Sequence, residues 1–233
     1  MKAMILAAGR GERMRPLTDV CPKPLLKVGS MPLIGHHLCR LQAAGFQDVI
    51  INHAWLGQQI EEVLGDGRDY GVHLHYSPEG KTGLETAGGI ATALPLLGEA
   101  PFLVINGDVL TNIDFQAAPV LAKQMQGGAD LAYLWLVPNP THNPRGDFAL
   151  MHNGAVHSHD VAGEALTFSG VGIYQPSLFV DTPPHQAAKL APLLRQAMDA
   201  GKVAGQRHDG HWLDVGTVDR LAEANEWVKK GWL

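Results

Sequence analysis

The chain is poor in cysteine and has no long apolar run. Its 233 residues hold only Cys21 and Cys39. Two thiols do not make the disulfide framework of a small secreted fold, and reduced thiols suit the cytoplasm, the expected location. No segment approaches the ~20 consecutive apolar residues of a membrane span. The first apolar run is too short for a secretory signal and leads straight into a glycine turn. Positive charge is scarce as well: 18 Lys and Arg stand against 23 Asp and Glu, a net charge of −5. That balance argues against a nucleic-acid surface, while leaving room for local basic clusters. The 12 histidines are scattered, and His36/His37, His157/His159 and His208/His211 match no zinc spacing. There is no internal repeat, low-complexity tract or long linker, and nothing calls for an obligate protein partner.

What is present is an α/β pattern. Apolar residues make up 45% of the chain, enough for a sizeable core in one domain. Strand-like runs at 2–6, 48–52, 73–76 and 102–106 alternate with helical patterns at 32–44, 57–64 and 86–97. On the first of these helices Ile34, Leu38 and Leu41 share a face, and Gly45 stops it. This alternation predicts βαβ units, hence a Rossmann-like, mostly parallel central sheet with helices on both faces. After a core strand at 130–137 the character changes. Pro138, Pro140 and Pro144 break the chain, and Asn153-Gly154 signals a hairpin between 148–152 and 155–157. A strand at 168–174 follows, then helices at 189–200 and 217–230, the last capped by Thr217 with Val218, Leu221 and Ala222 facing inward. The expected organisation is a single domain over 1–233, with a first half at about 1–130 and a small lobe in 131–233.

The densest chemistry lies in Leu6-Ala7-Ala8-Gly9-Arg10-Gly11-Glu12-Arg13-Met14-Arg15-Pro16-Leu17-Thr18 and the following Pro22-Lys23-Pro24-Leu25. Two glycines after a strand allow a tight turn and close approach of a ligand. Successive N–H groups in such a turn make an anion-binding concavity, and Arg13, Arg15 and Lys23 add positive charge. No Gly-Lys-Ser/Thr closes the loop, and Met14 stands where a dinucleotide fingerprint would have its third glycine, so neither of those phosphate loops applies. The whole string resembles the signature of the sugar-1-phosphate nucleotidyltransferases, which join a nucleoside triphosphate to a sugar phosphate and release pyrophosphate.

The resemblance makes about 1–130 the nucleotide-binding half and 131–233 the sugar-binding half, and it implies roles for particular residues. Ala8, Gly9, Gly11, Glu12, Arg13 and Lys23 would bind the nucleotide, with Arg13 and Lys23 acting on the phosphates during reaction. Asn106-Gly107-Asp108 and Trp212-Leu213-Asp214-Val215-Gly216-Thr217 would supply the two metal carboxylates, Asp108 and Asp214, holding Mg²⁺ against the phosphates. Sequence separation alone does not bring these two together; only the family match does. Ser77-Pro78-Glu79-Gly80 and Leu84-Glu85-Thr86-Ala87-Gly88-Gly89 resemble the nucleobase segment, with Glu79, Thr86 and Gly88 as contacts. Many members carry Gly where Glu85 stands. Arg145-Gly146-Asp147-Phe148 and Phe168-Ser169-Gly170-Val171 match sugar-holding positions, giving Gly146, Asp160 and Ser169 as substrate residues beside Asp108 and Asp214. Many members place Glu-Lys-Pro between these segments; here His157-Ser158-His159-Asp160 stands instead.

That departure implies a sugar with a bulky or acidic substituent. Arg145 and His159 are the candidate partners for its acid. The stretches 52–60, 77–80 and 210–217 point within the family to a uridylyl transferase, with UTP and a sugar 1-phosphate as substrates. Two alternatives remain: a mannose- or glucose-1-phosphate enzyme using GTP or dTTP, and a catalytically silent sugar-nucleotide-binding subunit. Intact Lys23, Asp108 and Asp214 speak against the latter.

Overall fold

The computed structural model describes residues 1–158 and 162–232. Its strands are β1 (Ala3–Leu6), β2 (Lys27–Val28), β3 (Met31–Pro32), β4 (Asp48–His53), β5 (His73–Pro78), β6 (Phe102–Asn106), β7 (Val109–Thr111), β8 (Ala132–Val137), β9 (Phe148–Leu150), β10 (Val156–His157), β11 (Glu164–Tyr174), β12 (Val203–Arg207) and β13 (Trp212–Asp214). Its α-helices are α1 (Leu17–Val20), α2 (Leu33–Ala43), α3 (Gly57–Leu64), α4 (Glu85–Leu97), α5 (Ala118–Gln126), α6 (Leu190–Asp199) and α7 (Val218–Lys229).

One nine-stranded sheet carries the fold. β5, β4, β1 and β6 lie side by side and parallel; β11 then pairs antiparallel with β6, and β8 and β12 extend the sheet beyond it. The strands read as continuous apolar runs because both faces are covered. In β1, Ala3 and Ile5 face one core together with Ile34, Leu38, Ile60, Ala122 and Met125, from α2, α3 and α5. Met4 faces the other, with Ile90, Ala93, Leu194 and Met198 from α4 and α6. The period-2 alternation of a strand thus sends neighbouring residues into separate helical layers. The chain leaves β1 toward β4 on one side and meets β6 on the other. This reversal of order opens a crevice beyond the carboxyl ends of β1 and β6.

The second half adds the expected hairpin, β9 with β10, which β11 joins. β11 begins at Glu164, earlier than the apolar run alone indicates, because its first residues pair with β9. Between Phe168 and Gly172 its register with β8 shifts, leaving Ser169, Gly170 and Val171 against Trp135 alone. α7 departs from its expected face. Val218 is exposed and Ala222 does not face the core; Ala224 is buried, and Leu221, Trp227 and Val228 pack inward with Met14, Val28, Leu110, Leu213 and Val215. The sequence pattern misleads because α7 covers a third, small core and not the main sheet.

His37 on α2 is buried, and its Nε2 has no hydrogen-bond partner among the described residues. Burial first, then nearby Arg40 and His36, push its pKa from the ordinary 6.5 down to about 3. The folded state therefore keeps this ring neutral where the unfolded chain binds a proton, so stability falls as pH drops from 6.5 toward 3. His37→Leu should flatten the pH dependence of the unfolding free energy in that window by up to about 1.4 kcal/mol per pH unit. Urea unfolding of both proteins at a series of acidic pH values measures this; parallel curves would show that His37 does not carry the effect.

Candidate active site

Polar residues that end the apolar strands fix the crevice. Asn52 is the last residue but one of β4, and Asn106 closes β6. The Asn52 Oδ1 accepts from the Ala7 N–H at 2.9 Å, and its Nδ2 donates to Glu79 Oε1 at 2.6 Å. Glu79 Oε2 in turn accepts from the Leu84 N–H at 2.6 Å. One chain of hydrogen bonds thus ties the start of the glycine loop, the end of β4 and the entry to α4. Asn52 and Glu79 are buried, so each bond also satisfies a group that would otherwise be costly to desolvate.

Around this frame lies a cavity of about 530 Å³. Of the residues expected at the nucleotide, Ala8, Gly9, Lys23, Glu79 and Thr86 line it. A methyl group placed on Gly9 would meet no other atom within 4 Å, so its missing side chain leaves space open to the cavity. Gly11 works differently. It has φ +68°, and a methyl there would stand 2.9 Å from Thr18 Cγ2 and 3.2 Å from Lys23 Cβ, so it packs the loop against the stem of Lys23. The Thr18 hydroxyl donates to the Gly11 carbonyl at 2.8 Å. Glu12 and Arg13 are exposed and do not line the cavity. Glu12 lies 3.7 Å from Arg10. Arg13 reaches across to Gly216, where a methyl would lie 2.8 Å from its Nη2 and 3.0 Å from Asp214 Oδ1.

The two expected carboxylates are brought together by a short antiparallel ribbon. β7 follows Asp108 directly and pairs with β13, Val109 opposite Asp214, and the Val215 N–H donates to the Asp108 carbonyl at 2.8 Å. Each carboxylate has a cationic partner. Lys23 Nζ donates to Asp108 Oδ2 at 2.6 Å, with only 9% of the lysine side chain exposed. Arg220 Nη1 donates to Asp214 Oδ2 at 2.8 Å, and His142 Nε2 lies 3.8 Å from the same oxygen. Among the described residues no group of three or more His, Cys, Asp or Glu could hold a metal ion. Asp108 lines the cavity; Asp214 does not.

At the entry to α4, Glu85 has φ +58°, a left-handed conformation that only glycine adopts without cost. This is the position where many sugar-1-phosphate nucleotidyltransferases carry glycine. The closeness of Gly88 and Gly89 serves the chain itself: a methyl on Gly88 would stand 2.1 Å from the Gln186 carbonyl oxygen, and one on Gly89 2.3 Å from Glu79 Oε1. Gly88 does not line the cavity, so the flat base its glycine was expected to seat is replaced by the strap before α6.

The expected sugar residues disperse. Ser169 is fully buried in the β11 irregularity, and its carbonyl accepts from Trp212 Nε1 at 2.8 Å. Gly146 has φ +69° and lies against Asn139 and the Leu166 carbonyl. Asp160 and His159 lie outside the described residues. Asp147 does line a second cavity of about 340 Å³, which shares Glu85, Thr86 and Asn106 with the first. Its Oδ1 accepts from Asn143 at 3.0 Å and its Oδ2 from the Phe168 N–H at 2.8 Å. Arg145 lines neither cavity. Sequence reasoning did not single out Asn52, Asn106, Arg220, Lys189 or Arg195. For the two asparagines the signal was there: an amide in the last two residues of an apolar strand, at the carboxyl edge of a parallel sheet.

Residues 2–231 match the Nucleotidyl transferase family. The chain is 62% identical over 224 residues, 96% of each chain, to N-acetylmuramate alpha-1-phosphate uridylyltransferase of Neisseria meningitidis serogroup B. It is 35% identical to the enzyme of the same name from Caulobacter vibrioides, covering 95% of this chain and 97% of that one. A UTP–glucose-1-phosphate uridylyltransferase of Synechocystis is 30% identical, with 61% of its length matched. Among solved structures, a Bacillus anthracis protein assigned as a glucose-1-phosphate thymidylyltransferase superposes with a TM-score of 0.83 over 98% of this chain and 95% of that one, at 23% identity, a likeness of fold.

Glu85→Gly should relieve the left-handed backbone and raise the unfolding free energy by roughly 0.5–1 kcal/mol, after the entropy that glycine adds to the unfolded chain. A shift of the urea midpoint to lower concentration would mean that Glu85 makes compensating contacts.

Proposed function

The chain belongs to the Nucleotidyl transferase family, and we propose that it transfers the uridylyl group of UTP to N-acetylmuramic acid α-1-phosphate, giving UDP-N-acetylmuramic acid and pyrophosphate. The observation that carries this reading is the 62% identity over 96% of both chains to the Neisseria enzyme of that name. The reaction would return a salvaged cell-wall sugar to the precursor pool, which is peptidoglycan recycling, and both cysteines are free, as suits the cytoplasm.

UTP lies in the first cavity under this reading, its phosphates toward Gly9 and Lys23 and its triphosphate end toward Arg13. The second cavity takes the sugar, and residues 131–233 supply most of its walls. The attacking atom is an oxygen of the sugar phosphate, already anionic at neutral pH, so no general base is needed. Catalysis then rests on holding that oxygen in line with the α-phosphorus and on offsetting the charge that builds there.

Lys23 is placed for the second task. Its ammonium is nearly buried and already fixed by Asp108, so little reorganisation is needed when a phosphate arrives. Asp108 and Asp214 are the residues that would hold Mg²⁺. Support comes from the donor set: two carboxylates on a rigid ribbon, each with only one oxygen engaged by a cation within 3 Å, suit a hard ion that takes its remaining ligands from phosphates and water. Such an ion supplies charge neutralisation at the phosphates. Lys23 and Arg220 meanwhile hold the carboxylates in position.

Three measurements follow. Pyrophosphate release across UTP, dTTP and GTP, each paired with N-acetylmuramic acid, glucose and mannose 1-phosphates, should be fastest for UTP with the muramic acid phosphate; a larger kcat/KM for another pair overturns the substrate assignment. Asp108→Asn and Asp214→Asn should each lower kcat by about 10²–10³ with the far-ultraviolet circular dichroism unchanged. Near wild-type turnover at saturating Mg²⁺ would remove that residue from the metal site. Lys23→Ala should lower kcat more than it raises KM for UTP, since charge on the reacting phosphate grows toward the transition state; a change confined to KM would make Lys23 a ground-state contact.

A further inference from the structure

The second cavity contains cations that the chemistry above does not use. Its base is apolar, formed by Phe148, Phe168, Leu190 and Leu194, the two rings 6.5 Å apart at 54°. Lys189 and Arg195 line one wall, at the start of α6 and more than a turn further along it. Both are exposed, and neither side chain has a hydrogen bond or ion pair with any described residue. The other charged groups here are Glu85 and Asp147. Both oxygens of Asp147 already accept hydrogen bonds from the chain. As acceptors, the two carboxylates suit sugar hydroxyls; only the cations can take an anion.

Lys189 is also held in place. The Ala87 and Gly88 N–H groups donate to the Ala188 carbonyl at 2.9 and 3.1 Å, and the Ala188 N–H donates to the Leu84 carbonyl at 3.0 Å. The strap carrying Lys189 is therefore clamped to the entry of α4, where Glu85 and Thr86 face both cavities. Gly88 permits this clamp by admitting the Gln186 carbonyl oxygen. Lys23 and Asp108 line the first cavity and not the second, so the reacting phosphates are provided for without Lys189 and Arg195.

We propose that Lys189 and Arg195 seat the carboxylate of an acidic substituent on the sugar and so set the enzyme's preference for an acidic over a neutral sugar phosphate. The inference rests on the uridylyl transfer to N-acetylmuramic acid α-1-phosphate proposed above. The lactyl ether of that sugar carries such a carboxylate, remote from the reacting phosphorus. A guanidinium can hold a carboxylate through two parallel N–H bonds, and an ammonium beside it adds a point charge. The apolar base would take the methyl and the ring face.

The test compares kcat/KM for N-acetylmuramic acid α-1-phosphate and for N-acetylglucosamine α-1-phosphate, which differs by lacking the lactyl ether. In the wild type the acidic sugar is preferred. In Lys189→Ala/Arg195→Ala the ratio of the two kcat/KM values should fall by about 10²-fold, mostly through KM for the acidic sugar. Each single variant should give part of that loss, and Lys189→Arg should keep most of the preference. Thermal melts check that the variants remain folded. An unchanged ratio overturns the proposal, whether because both sugars lose equally, as they would if the cations gripped the shared phosphate, or because neither loses. A wild type that prefers the neutral sugar refutes the proposed substrate itself, before any variant is made.

Discussion

The proposed chemistry depends on one short pairing, β7 against β13. It sets Val109, the neighbour of Asp108, opposite Asp214, more than a hundred positions away in sequence. Each of the two carboxylates has its own cation. Lys23 comes to Asp108 from the glycine loop, and Arg220 comes to Asp214 from the first turn of α7. Arg40 on α2 donates to the carbonyls of Thr111 and Ile113 and so pins the far end of β7. Beneath the ribbon, Leu110, Leu213 and Val215 join Met14 and Ala224 in a separate small core. The ribbon is thereby fixed by the chain's own contacts.

Around that pair the backbone is crowded against itself. Gly107 sits where a methyl would lie 2.6 Å from the Leu6 carbonyl oxygen, which locks the end of β6 onto the end of β1. Gly88 and Gly89 do the same between α4, the strap before α6 and Glu79. Gly9 is the contrast, since its missing side chain faces open space. Glycines near a binding site thus divide between those that make room for a ligand and those that let the protein close on itself, and neighbouring atoms tell the two apart where sequence does not.

The alternating half of the chain was legible in sequence because each strand and helix there buries a regular face. α3 and β6 run over the residues their patterns indicate, and Thr217 caps α7, its hydroxyl accepting from the Arg220 N–H. β7 was not legible as a strand, because three residues carry no period, and the pairing of β13 with it was not legible either. β12 was missed because it contains Gly205 and ends in Gln206 and Arg207; Gly205 is needed where a methyl would meet the Leu134 carbonyl oxygen at 2.5 Å. α5 carries Pro119 near its start and little apolar bulk. At the site, residue type and spacing singled out Gly9 and Lys23, and both line the first cavity. Asp108 and Asp214 were paired by family resemblance alone; the ribbon register sets Val109, next to Asp108, opposite Asp214. Lys189 and Arg195 read as an ordinary solvated helix face until the cavity beside them is seen.

The small core under the ribbon also imposes an order in time. Synthesis runs from the N-terminus, so the glycine loop, Lys23 and Asp108 exist well before Asp214 and Arg220 are added. Met14 and Val28 can pack early on Leu26, Leu33 and Leu110, but their core is closed only once Leu213, Val215 and Ala224 emerge. The glycine loop is therefore made while the segment that carries Asp214 and Arg220 has yet to emerge. The small core joins the first part of the chain to the last, and it is complete only when that returning segment is in place.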